Sequence, residues 1–198
     1  MGSEMCIRDS LEASVGLTDK EDGRVYRLTG KQAPAVKKFD LGKVSSEELL
    51  PYLAHPNRWF RQTALRLLGD RKDRSVLPQL NKILKQESGQ LALESLWAIY
   101  QVGGLKSLLQ ADPLSHRNPH VRRWFIRLVC DEKKLPPSLR DSVAAWAARE
   151  PDIETRTQIA SSAKRLATDD CLALVQALLA HPSDTSDPYQ PLLIWWAL

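Results

Sequence analysis

The feature that most constrains this chain is its self-similarity. The apolar helical segment TALRLLG (63–69) returns as SLWAIYQ (95–101), FIRLVCD (125–131), AKRLATD (163–169) and IWWAL (194–198), at near-even spacing. Shorter echoes accompany it: LLPYL (49–53) comes back as VLPQL (76–80), and AHP (54–56) as AHP (180–182). A unit of that size cannot close a hydrophobic core by itself, so its apolar face must be covered by the next unit along the chain.

Within the units the apolar period is helical. Val121, Trp124, Phe125, Leu128 and Val129 follow the i, i+3, i+4, i+7, i+8 stripe, and Ile153, Ile159, Ala160, Ala163, Leu166 and Ala167 make a smaller one. Ser45 and Glu48 have capping-box spacing, with Val44 placed to staple onto Leu49. Asn57 starts a helix expected to stop at Gly69, and Asn118-Pro119 starts another. Gly103-Gly104, Asp112-Pro113, Pro136-Pro137, Pro151-Asp152 and Asp187-Pro188 punctuate the rest, leaving helices of roughly 10–16 residues with short connectors. Pro51 and Pro78 fall inside the first helices of their pairs and are expected to kink them. The predicted fold is all-α: an α-solenoid of about four to five HEAT-like helical hairpins over residues 44–198. One short N-terminal β segment, Val25 to Leu28 between Gly23 and Gly30, precedes it, and residues 31–43 read as a polar linker.

Chemistry-bearing motifs are sparse. Cys6, Cys130 and Cys171 make neither a disulfide framework nor a C-x-x-C or C-x-x-C-H motif, so no zinc knuckle or covalently attached haem is encoded here. His116 and His120 are four apart, but Pro119 between them puts His116 in a loop, where solvated histidines are the expectation. No nucleophile–base constellation and no Gly-rich phosphate loop stands out, so no catalytic, cofactor-binding or metal-binding residue is assigned. Two basic blocks superpose at one constant offset, matching Arg61 with Arg122, Arg66 with Arg127 and Lys72 with Lys133. These six are the candidate interaction surface. A solenoid tracking nucleic-acid phosphates needs such a ladder on every unit. The unit between has Leu93, Ala98 and Gly104 at the three positions, so a solvated face or an acidic neighbouring domain is favoured over nucleic acid. The net charge of +4, from 28 basic and 24 acidic residues, demands no polyanion either. Trp97, Trp124, Trp146, Trp195 and Trp196 lie in apolar helical runs and are expected in the core, while Trp59 has no clear place.

The ends carry their own signals. MGSEMCIRDS (1–10) lacks the parts of a secretory signal and reads as a translated adapter scar. PLLIWWAL (191–198) is apolar without a polar cap and needs something to pack against, so the chain reads as an internal piece of a longer protein. No apolar run reaches the roughly 18 residues of a membrane span.

GRVYRLTGK (23–31), a short linker, and then DLGKVSSEELLPYLAHPNRWFRQTALRLLGDRKD (40–73) resemble a junction in large multidomain dehydrogenases with a PVC-type cytochrome c region. DPYQPLLIWWAL (187–198) is similar to the helix leading out of that family's repeats. The resemblance implies that residues 11–43 end an upstream sugar-dehydrogenase-like propeller. Residues 44–198 would then be a non-catalytic HEAT scaffold leading to a haem domain, in an extracytoplasmic, periplasmic protein whose partners are neighbouring domains or other proteins. Haem, quinone or calcium would belong to other parts of such a protein, since neither the propeller body nor the haem motif is in this chain. Two alternatives come from other classes: a HEAT-like DNA-binding or DNA-glycosylase-type protein, and a phycobilin-lyase-like HEAT protein.

Overall fold

A computed structural model describes residues 39–198, of which Asp40–Leu198 form a unit of their own. The expected N-terminal strand, the residues read as a scar and most of the linker lie outside the described residues. Among the described residues the secondary structure is helical throughout, without strands. In chain order the α-helices are α1 (Ser46–Leu49), α2 (Arg58–Arg71), α3 (Leu77–Gln86), α4 (Gln90–Gln110), α5 (Pro119–Cys130), α6 (Pro137–Ala147), α7 (Ile153–Ala163), α8 (Thr168–Leu178) and α9 (Gln190–Ala197). Short 3-10 turns link several of them: Leu50–Ala54, Arg74–Val76, Pro113–Ser115 and Pro182–Ser186.

The helix starts are made by the residues that sequence chemistry points to. Ser45 and Glu48 form a reciprocal capping box: the Glu48 amide donates to Ser45 Oγ (3.3 Å) and the Ser45 amide to Glu48 Oε2 (2.9 Å). Asn57 accepts from the Trp59 amide and Asn118 from the His120 amide, with Pro119 in the first turn where no N–H is needed. Asp152 caps α7 by accepting from the Thr155 amide at 2.8 Å.

Each long helix packs on its neighbours: α2 on α4, α4 on α5, α5 on α7 and α7 on α9, with α3 along α4 and α8 against both α6 and α7. The core between them is aliphatic. Leu49, Leu53, Leu68, Leu80, Leu84, Leu96, Ile99, Leu108, Ile126 and Ile159 are fully buried, and Phe125 is the largest side chain buried with them. Removing methylenes from such a core costs the transfer free energy plus the cavity left behind.

Several local expectations are corrected. Pro51 and Pro78 lie near helix starts and not in helix interiors: Pro51 sits in the first turn of the 3-10 segment that continues α1, where the chain changes from α to 3-10, and Pro78 in the first turn of α3. Gly69 does not stop α2, which runs on to Arg71. Its lack of a side chain serves packing, since a Cβ there would lie 2.5 Å from Gln101 Oε1 on α4. The stop is made at Lys72, in the left-handed region with φ 51°. At Gly103-Gly104 the chain breaks without a loop. Gly104, at φ 69° and ψ −170°, divides α4 into two helical stretches, a conformation essentially confined to glycine.

Trp195 and Trp196 are not in the core. They are 71% and 60% exposed, whereas Trp97, Trp124 and Trp146 are partly buried against it. Trp97 and Trp124 meet edge to face at 5.0 Å between centroids.

Candidate functional site

The six cations expected on one surface divide into two kinds. Arg61 and Arg122 point inward. Arg61 donates through Nε to Glu94 Oε1 (3.1 Å) and through Nη1 to the carbonyls of His55 (2.8 Å) and Pro56 (3.0 Å). Arg122 makes a two-pronged pair with Glu150, Nε to Oε2 at 2.8 Å and Nη2 to Oε1 at 2.6 Å. Its Nη1 donates to the carbonyls of His116 (2.8 Å) and Arg117 (3.3 Å). The carbonyl partners stand six and five positions back in both cases, so the constant offset between the basic blocks is a structural equivalence.

The structure adds a third member that charge-block reading missed. Arg156 on α7 pairs with Asp184, Nε to Oδ2 at 2.7 Å and Nη2 to Oδ1 at 2.5 Å, and sends Nη1 to the Glu150 carbonyl, again six positions back (2.8 Å). The signal was present in the caps: Arg61, Arg122 and Arg156 each stand four positions after an Asn or Asp helix cap. Each guanidinium therefore ties its own helix to the turn before it and to a carboxylate on a later element. The fixed fork of arginine fits this geometry, and lysine could not reproduce it.

The joint without an arginine, where Leu93 stands, is closed differently. His116 Nδ1 accepts from the Asn118 amide, which leaves the proton on Nε2, and Nε2 lies 3.0 Å from the carbonyls of both Leu84 and Glu87. Arg117 donates to the Gln86 carbonyl and Asn118 Nδ2 to the Ser88 carbonyl (2.6 Å). His116 is thus a strap between loops, not a solvated loop histidine. His181 bridges in the same sense to the Ala147 carbonyl at 2.9 Å.

The other four cations remain outside. Arg66 pairs with Asp70 one turn on, with both side chains mostly in water, an arrangement worth at most about 0.5 kcal/mol. Arg127 lies over the Trp124 ring at 4.9 Å. Lys72 and Lys133 both have positive φ, so these two positions are equivalent in backbone as well as in sequence. Gly104, the residue matched to them in the intervening unit, also has positive φ, but the chain there re-enters a helix at once. Arg66 on α2 and Arg127 on α5 have α4 between their helices.

Among the described residues no cluster of three or more His, Cys, Asp or Glu is placed to hold a metal. Cys130 and Cys171 are buried, as their apolar neighbours predict. Burial raises the Cys130 thiol to about 12 and pushes Cys171 up as well, so neither carries thiolate near neutral pH. Cys171 Sγ instead lies 3.2 Å from the Ala197 carbonyl, linking α8 to α9. Two surface recesses, of about 310 and 400 Å3, lie beside Gly69 and beside His116.

Three carboxylates at helix starts make the fold acid-sensitive. Glu48 is held below the usual carboxylate range by the Ser45 amide and hydroxyl, and Asp187 by the amides of Gln190 and Tyr189. Burial pushes Asp152 up, but the Thr155 hydroxyl and amide, with Arg123 and Arg122 nearby, outweigh it and leave the group lowered. A lowered folded-state pKa contributes stability above the unfolded value, lost as pH falls through the folded value. The difference in melting midpoint between the parent and Asp152→Asn should therefore be constant from pH 7 to 5 and shrink below about pH 4. A difference that already shrinks between pH 7 and 5 would contradict this.

Comparison of the chain with family models, with curated proteins and with solved structures finds no match.

Proposed function

We propose that residues 44–198 are an α-solenoid of HEAT-like hairpins serving as a non-catalytic scaffold. In this reading they space and dock the domains of an extracytoplasmic dehydrogenase, between a propeller and a haem domain. The observation that carries the solenoid reading is the recurrence of one arginine geometry at Arg61, Arg122 and Arg156, each bridging its helix to a later carboxylate. If the two stretches of α4 are counted separately, the described helices can be taken as five consecutive pairs, and α2, α4, α5, α7 and α9 contact one another in succession. Neighbour-only contacts of this kind suit a repeat array, whose stability is a sum of local and nearest-neighbour terms. The domain partners come from the resemblance at 23–73 and 187–198. The scaffold role is favoured by where the strongest polar groups are used: three guanidinia and their carboxylates hold hairpins together.

Hydrogen exchange on the full chain tests the array. Arg61→Met should raise exchange in α2 and α4 while α7 to α9 stay protected, and Arg156→Met should do the reverse. An equal rise across all helices in both variants would overturn it. The domain context is tested by sequencing the gene on both sides of this reading frame. An upstream propeller and a downstream C-x-x-C-H are expected, and stop codons at both ends would refute the spacer role. Micromolar binding to random duplex DNA at low salt, weakened by Arg66→Ala and Arg127→Ala, would favour the nucleic-acid reading instead.

A further inference from the structure

From Tyr189 to Leu198 the chain carries no charged side chain. Helical periodicity sorts this stretch into two arcs. Leu193, Ile194 and Ala197 pack against the core beside the buried Gln190, with α9 resting on α7 and α8. The opposite arc, Leu192, Trp195 and Trp196, stands in water and is flanked by Tyr189 and Leu198. On an outer arc of this kind α2 carries Arg66 and Asp70, as a surface helix should. The five apolar side chains of α9 and its ends are 53% to 71% exposed, and they make up five of the nine large hydrophobics left exposed among the described residues.

Single exposed leucines need no partner, but a patch of this size does. At about 200 Å2 for a whole aromatic side chain, the three rings leave roughly 400 Å2 open, and the two leucines bring the patch to roughly 600 Å2. Covering it on two copies would bury about 1,200 Å2 in all, the lower edge of specific, stable interfaces.

Charge at the rim says what surface fits. Lys164, at the end of α7, holds its Nζ 6.0 Å from the centre of the Trp196 ring. Asp187, just before α9, accepts from the Tyr189 and Gln190 amides. Neither has an ion-pair partner among the described residues. The patch thus has an apolar middle, a carboxylate at one end and an ammonium at the other, and it is complementary to itself when turned end for end.

We propose that the chain pairs with a second copy of itself through α9, the two helices antiparallel about a two-fold axis at Leu192. In that register Leu192 meets its own copy, Tyr189 of each protomer meets Trp195 of the other, and Asp187 comes to the end where the other protomer holds Trp196 and Lys164. No charged side chain enters the middle, and a parallel pairing is disfavoured because it would set like charges together. The inference goes beyond the scaffold reading and does not rest on it, since it uses only the surface of α9 and its rim.

Sedimentation equilibrium of the full chain tests this. A monomer–dimer equilibrium with a dissociation constant of about 1–10 μM is expected. Leu192→Glu sets two carboxylates on the axis and should weaken pairing at least about 100-fold. Residue 192 is already in water, so the melting midpoint of the dilute, monomeric variant should match that of the dilute parent, which separates lost pairing from lost folding. Asp187→Asn keeps the cap, and it and Lys164→Gln should each weaken the dimer about threefold, the two together no more than either alone. In the unmodified chain, iodide quenching of tryptophan fluorescence should rise as dilution passes the dissociation constant. A chain still monomeric at about 0.1 mM, a dimer that Leu192→Glu leaves intact, or open-ended assembly would overturn the proposal. So would transfer of a monomeric chain to phosphatidylcholine vesicles, since the patch would then face lipid.

Discussion

Arg156→Met should cost the fold about 3–5 kcal/mol, the largest effect expected of a single polar substitution here. Arg156 and Asp184 are each only 7% exposed at the side chain and bond at two points, and the guanidinium also satisfies the Glu150 carbonyl. Removing the arginine leaves a carboxylate buried without its counter-charge and a carbonyl without a donor, and these penalties dominate the loss. The pair itself is worth much less, because two charges were taken out of water to make it. The double variant Arg156→Met with Asp184→Leu should therefore recover most of the stability, and chemical denaturation of the three variants checks this. Additive losses in the double variant would mean that the two side chains are not coupled, and would refute this account. Arg66→Ala is the contrasting case: its partner Asp70 is solvated, and the change should stay within about 0.5 kcal/mol.

Gly104→Ala should be destabilising by about 1–3 kcal/mol through the backbone alone. A Cβ built on Gly104 has open space around it, with nothing within 4 Å, so no steric contact explains a loss. What forbids the side chain is φ 69° with ψ −170°, a region residues with a Cβ scarcely enter. Gly89 is the control. It too has open space and a negative φ of −98°, but it is the N-cap of α4, where alanine is disfavoured, so Gly89→Ala should cost less than Gly104→Ala, at most about 1 kcal/mol. Equal losses at the two glycines in thermal melts would refute the backbone argument. Lys72 tests the converse, since it holds φ 51° where glycine is at ease, and Lys72→Gly should leave the midpoint unchanged or slightly raised.

Much of the helical grammar was legible before any coordinates. The Ser45–Glu48 box, the Asn57 and Asn118 caps and the Val121–Val129 stripe are local chemistry, decided within a few residues. The equivalence of Arg61 with Arg122 was legible too, as one constant offset between two similar stretches of sequence. What those two arginines do with their charge was not. A run of arginines reads the same whether it faces water or a carboxylate, and Glu94 and Glu150 stand far along the chain from the side chains they pair with. Gly69 misled for a related reason: a glycine that ends a helix and one that lets a second helix come close are identical in sequence, and the nearest atom to its missing Cβ belongs to Gln101. Trp195 and Trp196 misled because an apolar period specifies a face to be covered, not what covers it.

From residue order alone follow the helical character of the chain, the places where most of its helices begin, and the positions that recur from one unit to the next. Those properties rest on hydrogen bonds and side-chain periods that act within a turn or two of helix. Packing in three dimensions fixed the rest: which charges are buried, which glycine is strained, that His116 straps loops together, and that Trp195 and Trp196 are exposed. The buried pairs and the strap join atoms some 30 positions apart, so they cannot be read along a single stretch of chain.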